Sequence, residues 1–353
     1  MTAKLFPTSV VGSMPRSDFV RDLINDPNLP EDEYTGKMDA AVRYIIALQE
    51  HAGLDVVTDG EWRRKSYIGV IAELAHGFEL GFAPDGRPWT IVVDKLSPKT
   101  PGFIAREVEF TRGITNRAIK ATLPSPALLG ERMWDPEKSK KAYPTRDDFV
   151  RDCVPVLQRE MEMLTRAGTD IIQVDDPHLC LFVDPHVRAQ YDNADKAADF
   201  AVDMTNAIIS AAGKAKVAVH LCRRAGARVR GETEHTGGFE AIVNHLNKLT
   251  AHHLTMEFTT PGAGDFEVFK TLREDFEIGL GCVSVMPGQI DPPDVIAERV
   301  RKVLRFVAPE RITLNPDCGF APGSGAAVSM DEAYQKLRNE VVAAEFLRTE
   351  YST

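Results

Sequence analysis

The sequence predicts an α/β chain folded as a single (β/α)8 (TIM) barrel, with an insertion after the second strand. Two observations predict it. Short apolar runs ending in glycine or polar residues alternate with longer segments of helical spacing, an order that requires parallel strands joined by helical crossovers. The strand-like runs number eight, as a closed barrel requires. No internal repeat, low-complexity tract or Pro/Ser-rich linker divides the chain, so residues 1–353 read as one barrel domain.

In chain order the strand candidates are SVVGS (9–13), LDVVTDGE (54–61), AIKATLPS (118–125), TDIIQVDD (169–176), KVAVHLC (216–222), HLTMEF (253–258), FEIGLGCVS (276–284) and RITLNPDC (311–318). Helical spacing marks DAAVRYIIALQEHAG, DDFVRDCVPVLQREMEMLTRAG, DKAADFAVDMTNAIISAAG, GFEAIVNHLNKLT, PPDVIAERVRKVLRFV and MDEAYQKLRNEVVAAEFLR, each after a strand candidate. The second of these has the plainest punctuation, an Asp-rich start at Asp147 and a glycine stop at Gly168. Residues 62 to about 117 interrupt the alternation; GRPWTIVVDKL and VEFTRGIT inside them read as strands of an insertion.

The chain has 353 residues and 43% hydrophobic content, enough for a large core. Its 42 basic and 52 acidic residues give a net charge of -10 with no basic stripe, which argues against a nucleic-acid partner. No stretch approaches a membrane span and the N-terminus lacks the apolar region of a secretory signal, so a cytoplasmic protein is expected. Cys153, Cys180, Cys222, Cys282 and Cys318 are an odd number in a long chain, which reads as core residues or ligands of a reducing compartment rather than a disulfide framework.

The chemistry of a barrel sits at the carboxyl ends of its strands. That filter selects Ser13, Glu61, Asp175, His220, Cys222, Glu257 and Cys318. His220 and Cys222 are two apart on one strand and face the same way, so both can reach one ion. They read either as zinc ligands or as a core histidine beside a small buried cysteine, and Cys318 at another strand end favours the ligands. Glu257, an acid within an apolar strand, reads as a fourth ligand or as the partner of Arg223 or Arg224. Asp59 and Glu61, with Asp175 and Asp176, end two strands; converging carboxylates suit an ammonium group or acid–base work. Asp176 before Pro177 is expected to cap the following loop, leaving Glu61 and Asp175 to face a substrate. Arg63 and Arg64 read as solvated partners of Asp59 or as anion binders. The glycines of HTGGFE read as a helix start, since no phosphate-binding fingerprint surrounds them. His178, His235, His252 and His253 carry no tie to the site.

Taken in order, VVGSMPRS, DGEWRR, QVDDP, HLC, MEF and NPDCG resemble the catalytic domain of cobalamin-independent methionine synthase and its shorter single-barrel relatives, over nearly the whole chain. The resemblance implies a zinc-dependent methyltransferase that methylates the thiol of homocysteine to give methionine. It implies Zn2+ held by His220, Cys222, Glu257 and Cys318, a carboxylate-binding turn at Ser13, and an ammonium held by Glu61 and Asp175. The implied partners are a small-molecule thiol and a methyl donor, with neither nucleic acid nor membrane; a homo-oligomer or a donor-delivering protein stays open. The sequence departs from the family where its aspartate and proton-delivering histidine correspond to Ser284 and Met286. In LPSPALLGERMW the tryptophan, Trp134, falls two residues later than the family's. HLCRR, GGFE and the MEF strand also resemble an epoxyalkane:coenzyme M transferase, which implies the alternative of a zinc-dependent alkyltransferase acting on another thiol.

Overall fold

A computed structural model of the chain describes residues 4–26, 28–83, 88–223, 235–321 and 328–352. Strand β1 (Val56–Val57) precedes an antiparallel hairpin of β2 (Ala75–Phe82) and β3 (Pro88–Pro98). Then come β4 (Ala118–Pro124), β5 (Ile171–Asp175), β6 (Lys216–Leu221), β7 (His253–Glu257), β8 (Glu277–Val283) and β9 (Ile312–Pro316). With β1 first, these form a seven-stranded parallel sheet in chain order. The eighth position is filled by the start of the chain, where Thr8 pairs in parallel with Leu314 and Ser9 with Val56. The Ser9 N–H donates to the Leu314 carbonyl at 3.0 Å, and the Val56 N–H to the Thr8 carbonyl at 3.0 Å. The sheet thus curls into a barrel, and SVVGS pairs only at its first residue.

The helices pack outside the sheet. They are α1 (Asp18–Asn25), α2 (Glu31–Ala52), α3 (Ile71–Leu74), α4 (Phe103–Arg112), α5 (Pro126–Met133) and α6 (Arg146–Arg166). Four follow: α7 (Pro185–Arg188), α8 (Ala194–Ile209), α9 (Val243–Leu246) and α10 (Pro293–Val303). The last is α11 (Met330–Tyr351). Helix α6 starts on a capping box between Thr145 and Asp148, and Gly168 just beyond its end takes φ +79°, the left-handed conformation that glycine adopts without a Cβ clash. Phe149, Cys153, Leu157, Met161 and Leu164 form its buried stripe.

Two expectations need correction. VEFTRGIT is not a strand; its first five residues end helix α4, whose Ile104, Ala105, Val108 and Thr111 share one buried face. The start of α4 is capped from a distance: buried Glu160 of α6 accepts the N–H groups of Gly102 at 2.6 Å, Ile104 at 2.7 Å and Ala105 at 3.0 Å. A carboxylate there satisfies orphan donors and complements the helix dipole. GFEAIVNHLNKLT forms only a 3-10 turn, Phe239–Ile242, and the single turn of α9, although Phe239, Ile242, Leu246 and Leu249 are all buried as its spacing requires. Neither turn has a side-chain cap at its start, so nothing local extends it.

Asp176, just past β5, caps as expected. Its Oδ1 accepts the Leu179 N–H at 3.1 Å and its Oδ2 the Thr205 hydroxyl at 3.1 Å, tying the β5 loop to α8. Burial pushes its carboxyl up to about 6, against the pull of these donors. The folded value lies above the ordinary one, so its contribution to stability is complete below about pH 4 and is lost as pH rises through about 6. Relative to Asp176→Asn, the parent should lose about 3 kcal/mol between pH 4 and pH 8. Urea unfolding of both proteins across that range measures it, and parallel pH profiles would contradict the assignment.

Candidate active site

The carboxyl ends of β5, β6, β7 and β9 meet the turn that follows Ser9. In the β5/β6 register Asp175 lies beside His220, and the two side chains join, with His220 Nδ1 2.9 Å from Asp175 Oδ1. With Nδ1 donating to the carboxylate, Nε2 presents its lone pair. That atom is buried and has no hydrogen-bond partner among the described residues. Burial opposes a charged imidazole, but the Asp175 hydrogen bond and charge outweigh it and raise the pKa of His220.

One residue past β6, the Cys222 Sγ lies 3.5 Å from the Cys318 Sγ. One ligand atom from each of His220, Cys222 and Cys318 falls within 4.8 Å of the others. The hydrogen bond with Cys222, then burial and the charges of Cys222, Glu257 and Asp175, push the Cys318 thiol well up. An imidazole nitrogen without a partner among the described residues and two neighbouring cysteine sulfurs, set among carboxylates, fit a divalent ion of borderline softness.

Glu257 is fully buried, and the β6/β7 register pairs Leu221 with Met256, which sets Glu257 level with Cys222. Its Oε2 accepts the backbone N–H of Arg223 at 3.2 Å. The Arg223 guanidinium bonds the carbonyls of Gly237 at 2.5 Å and His235 at 3.1 Å; Arg224 lies outside the described residues. Asp317 fixes the neighbouring strand ends. Its Oδ1 accepts the N–H groups of Phe258 and Thr259, each at 3.1 Å, and its Oδ2 the Thr259 hydroxyl. A Cβ at Gly281 would lie 2.7 Å from Asp317 Oδ1 and 3.0 Å from the Glu257 Cα, so only glycine admits this approach.

Ser13 sits against the cysteine loop: its carbonyl accepts the Phe320 N–H at 2.9 Å, and its Oγ accepts the Ala321 N–H at 3.3 Å. Glu61 follows Gly60 in a strained turn with φ +59°, rare for a side-chain-bearing residue. The Asp59 carboxylate caps its N–H at 2.9 Å, and Arg16 donates to its carbonyl at 2.7 Å. The Glu61 carboxylate accepts the Thr122 hydroxyl at 2.8 Å and lies where a Cβ on Gly12 would come within 2.6 Å of it. Burial raises its pKa, with Arg64 opposing and Asp175 adding to the rise. The seven residues selected from the sequence therefore gather at one end of the barrel.

The arginines beside Glu61 have other partners than Asp59. Arg63 pairs with Asp39 at 2.5 Å, while buried Arg64 forks onto Glu107 at 2.7 Å and donates to the Thr122 carbonyl and hydroxyl at 2.9 Å. Ser284 donates to Gln289 at 2.7 Å, and buried Lys336 of α11 holds the carbonyls of Ser284 and Met286 at 2.9 and 2.6 Å. Trp134 packs on the core and donates to the Tyr143 carbonyl at 3.0 Å. Gln173 and Thr122 were not singled out, although both are polar residues inside apolar strands, the signal that marked Glu257. Tyr67 gave no sequence signal; burial raises its hydroxyl pKa, and Arg132, Cys222, Asp175 and Cys318 all act on it.

A closed barrel with two cysteines, a histidine and converging acids at its carboxyl end has the arrangement of an enzyme active site. Residues 6–346 match the model of the cobalamin-independent synthase catalytic domain, and the chain belongs to that family. Methionine synthase of Sulfolobus acidocaldarius is 27% identical over 357 residues, covering 98% of this chain and 93% of the relative. The Saccharolobus solfataricus methionine synthase is 26% identical, covering 98% and 96%. The structure of a B12-independent methionine synthase from Shewanella sp. W3-18-1 in complex with selenomethionine has the same fold, with TM-score 0.80, 23% identity and 98% of both chains covered.

Arg64→Met should destabilise the protein by about 3 to 5 kcal/mol, because Glu107 is left buried without its partner. Adding Glu107→Leu should restore most of the loss. Denaturant unfolding of the single and double variants measures both; equal stability of parent and single variant would contradict the pairing.

Proposed function

We propose that this methyltransferase moves a methyl group onto the thiol of homocysteine to give methionine, with zinc held by His220, Cys222, Glu257 and Cys318. One observation carries the metal reading: a ring nitrogen of His220 and the two cysteine sulfurs lie within 4.8 Å of one another, and the buried Nε2 has no hydrogen-bond partner among the described residues. When bound, zinc supplies the positive charge that keeps a thiol deprotonated at neutral pH. Asp175 fixes the imidazole through Nδ1 and leaves Nε2 to serve as the ligand atom. Glu61 and Asp175 offer carboxylates to the substrate's ammonium group, and the Gly12–Ser13 turn takes its carboxylate. This places the substrate sulfur for in-line attack on the methyl carbon, as the donor leaves with the bonding pair.

The paired state of Arg63 and Arg64 favours an amino-acid thiol over a sulfonate-bearing one, since both guanidinium groups already hold carboxylates. At the carboxyl end of β8, Ser284 and Met286 offer no acid to the departing donor.

Purified protein should contain about one zinc per chain by elemental analysis, and Cys318→Ser should lose most of it; undiminished zinc in the variant would refute the site. Methionine formation from homocysteine should be measured with methylfolate, methylcobalamin and simple methyl donors side by side. Failure of homocysteine to add sulfur to the zinc shell by X-ray absorption, while coenzyme M does so, would transfer the activity to the other thiol.

A further inference from the structure

Asp175 divides its two oxygens between separate tasks. Oδ1 takes both hydrogen bonds that the carboxylate receives from described residues, one with His220 Nδ1 at 2.9 Å and one from Gln173 Nε2 at 2.8 Å. Oδ2 receives none from the described residues, and the side chain keeps 11% of its surface exposed. The protein therefore holds one oxygen while the other remains available to a ligand.

Gln173 enforces the division. It is fully buried two residues before Asp175 on β5, so both side chains face the barrel interior. Its amide nitrogen has two hydrogens; one goes to Asp175 Oδ1 and the other to the Val11 carbonyl at 3.0 Å. Val11 immediately precedes the Gly12–Ser13 turn. A single amide thus joins the carboxylate beside His220 to the turn beside Cys318, and it resists the carboxylate rotation that would exchange the two oxygens.

We propose that Asp175 couples recognition of the substrate's ammonium group, at Oδ2, to the metal-binding strength of His220, at Oδ1, with Gln173 as the positioning residue that keeps the two oxygens distinct. This rests on the zinc and amino-acid thiol reading above. The sign follows from charge. An ammonium at Oδ2 neutralises part of the negative charge that makes His220 a strong donor, and it adds a positive charge near the ion. Metal and ammonium therefore oppose each other, and each weakens the other by the same factor. Loss of a carboxylate partner behind a ligating histidine costs about 10- to 100-fold in metal affinity. Partial neutralisation of that partner should cost on the order of 3- to 10-fold. Arrival of the amino acid would thereby loosen the His220 bond as the incoming sulfur needs a place on the metal.

The test uses zinc-loaded full-length protein titrated with a chromophoric chelator, with and without saturating L-norleucine, which carries the ammonium and carboxylate but no sulfur. Hexanoate, which lacks the ammonium, is the control. Norleucine should shift zinc toward the chelator by about 3- to 10-fold and hexanoate should not. The norleucine shift should vanish in Asp175→Asn and shrink in Gln173→Leu, with zinc still bound by both variants. Unchanged zinc affinity in parent protein shown by calorimetry to bind norleucine would overturn the coupling and leave the functional reading intact. An undiminished shift in Asp175→Asn would also overturn it. Parent protein that binds no zinc, or binds zinc but not norleucine, would overturn the functional reading itself.

Discussion

Through Thr8 and Ser9 the chain pairs with Leu314 and Val56 at once, and the position of every residue at the carboxyl end of the barrel follows from that closure. The pairing brings the last strand beside the first and sets the Gly12–Ser13 turn over the loop that carries Cys318. It also lays Glu61 against Gly12. Buried Glu340 of α11 reinforces the seam by accepting the Ser9 N–H at 3.0 Å. A sheet left open here would keep His220, Cys222 and Glu257 on adjacent strands but would lose Ser13 and Cys318 from their neighbourhood.

The closed barrel gathers more acids than bases at this end. Glu61, Asp175, Asp176, Glu257 and Asp317 are all buried around the two thiols. Lys120, buried in the same interior, has its pKa pushed down to about 8 by burial, although Asp175 and Glu340 hold it up. Its ammonium is spent on the Val10 carbonyl at 2.6 Å. Carboxylates near Cys318 make its ionisation harder, so the site is matched to ligands that bring positive charge. A divalent ion and an ammonium group both answer that need, and the division of Asp175 between His220 and the solvent-facing side makes them rivals for one negative charge.

Legibility in the sequence followed the range of the interaction. Short apolar runs marked the eight strand positions, and the strand period of two put His220 with Cys222 on one face. Long amphipathic segments became α2, α6, α8, α10 and α11. The failures have remote causes. VEFTRGIT carries no start signal for a helix because its cap is Glu160, more than fifty residues away. Arg64 looked like a partner for nearby Asp59, yet its carboxylate is Glu107, brought across by the fold of residues 62–117. The strain at Glu61 was invisible as well, since a positive φ there is held by Arg16 and Asp59 rather than by a glycine at that position.

By itself the sequence determined the alternation of strands and helices, the family resemblance and the residue types at the strand ends, because periodicity and ligand chemistry are written locally along the chain. The tertiary structure decided which of those residues share a centre. Only strand register and closure bring Cys222 and Cys318 to 3.5 Å across 96 residues of chain. They also decided that Asp175, read from the sequence as a substrate acid alone, stands behind His220. Its second role depends on a hydrogen bond between neighbouring parallel strands, whose pairing is fixed by packing and cannot be read from the spacing of residues along either strand.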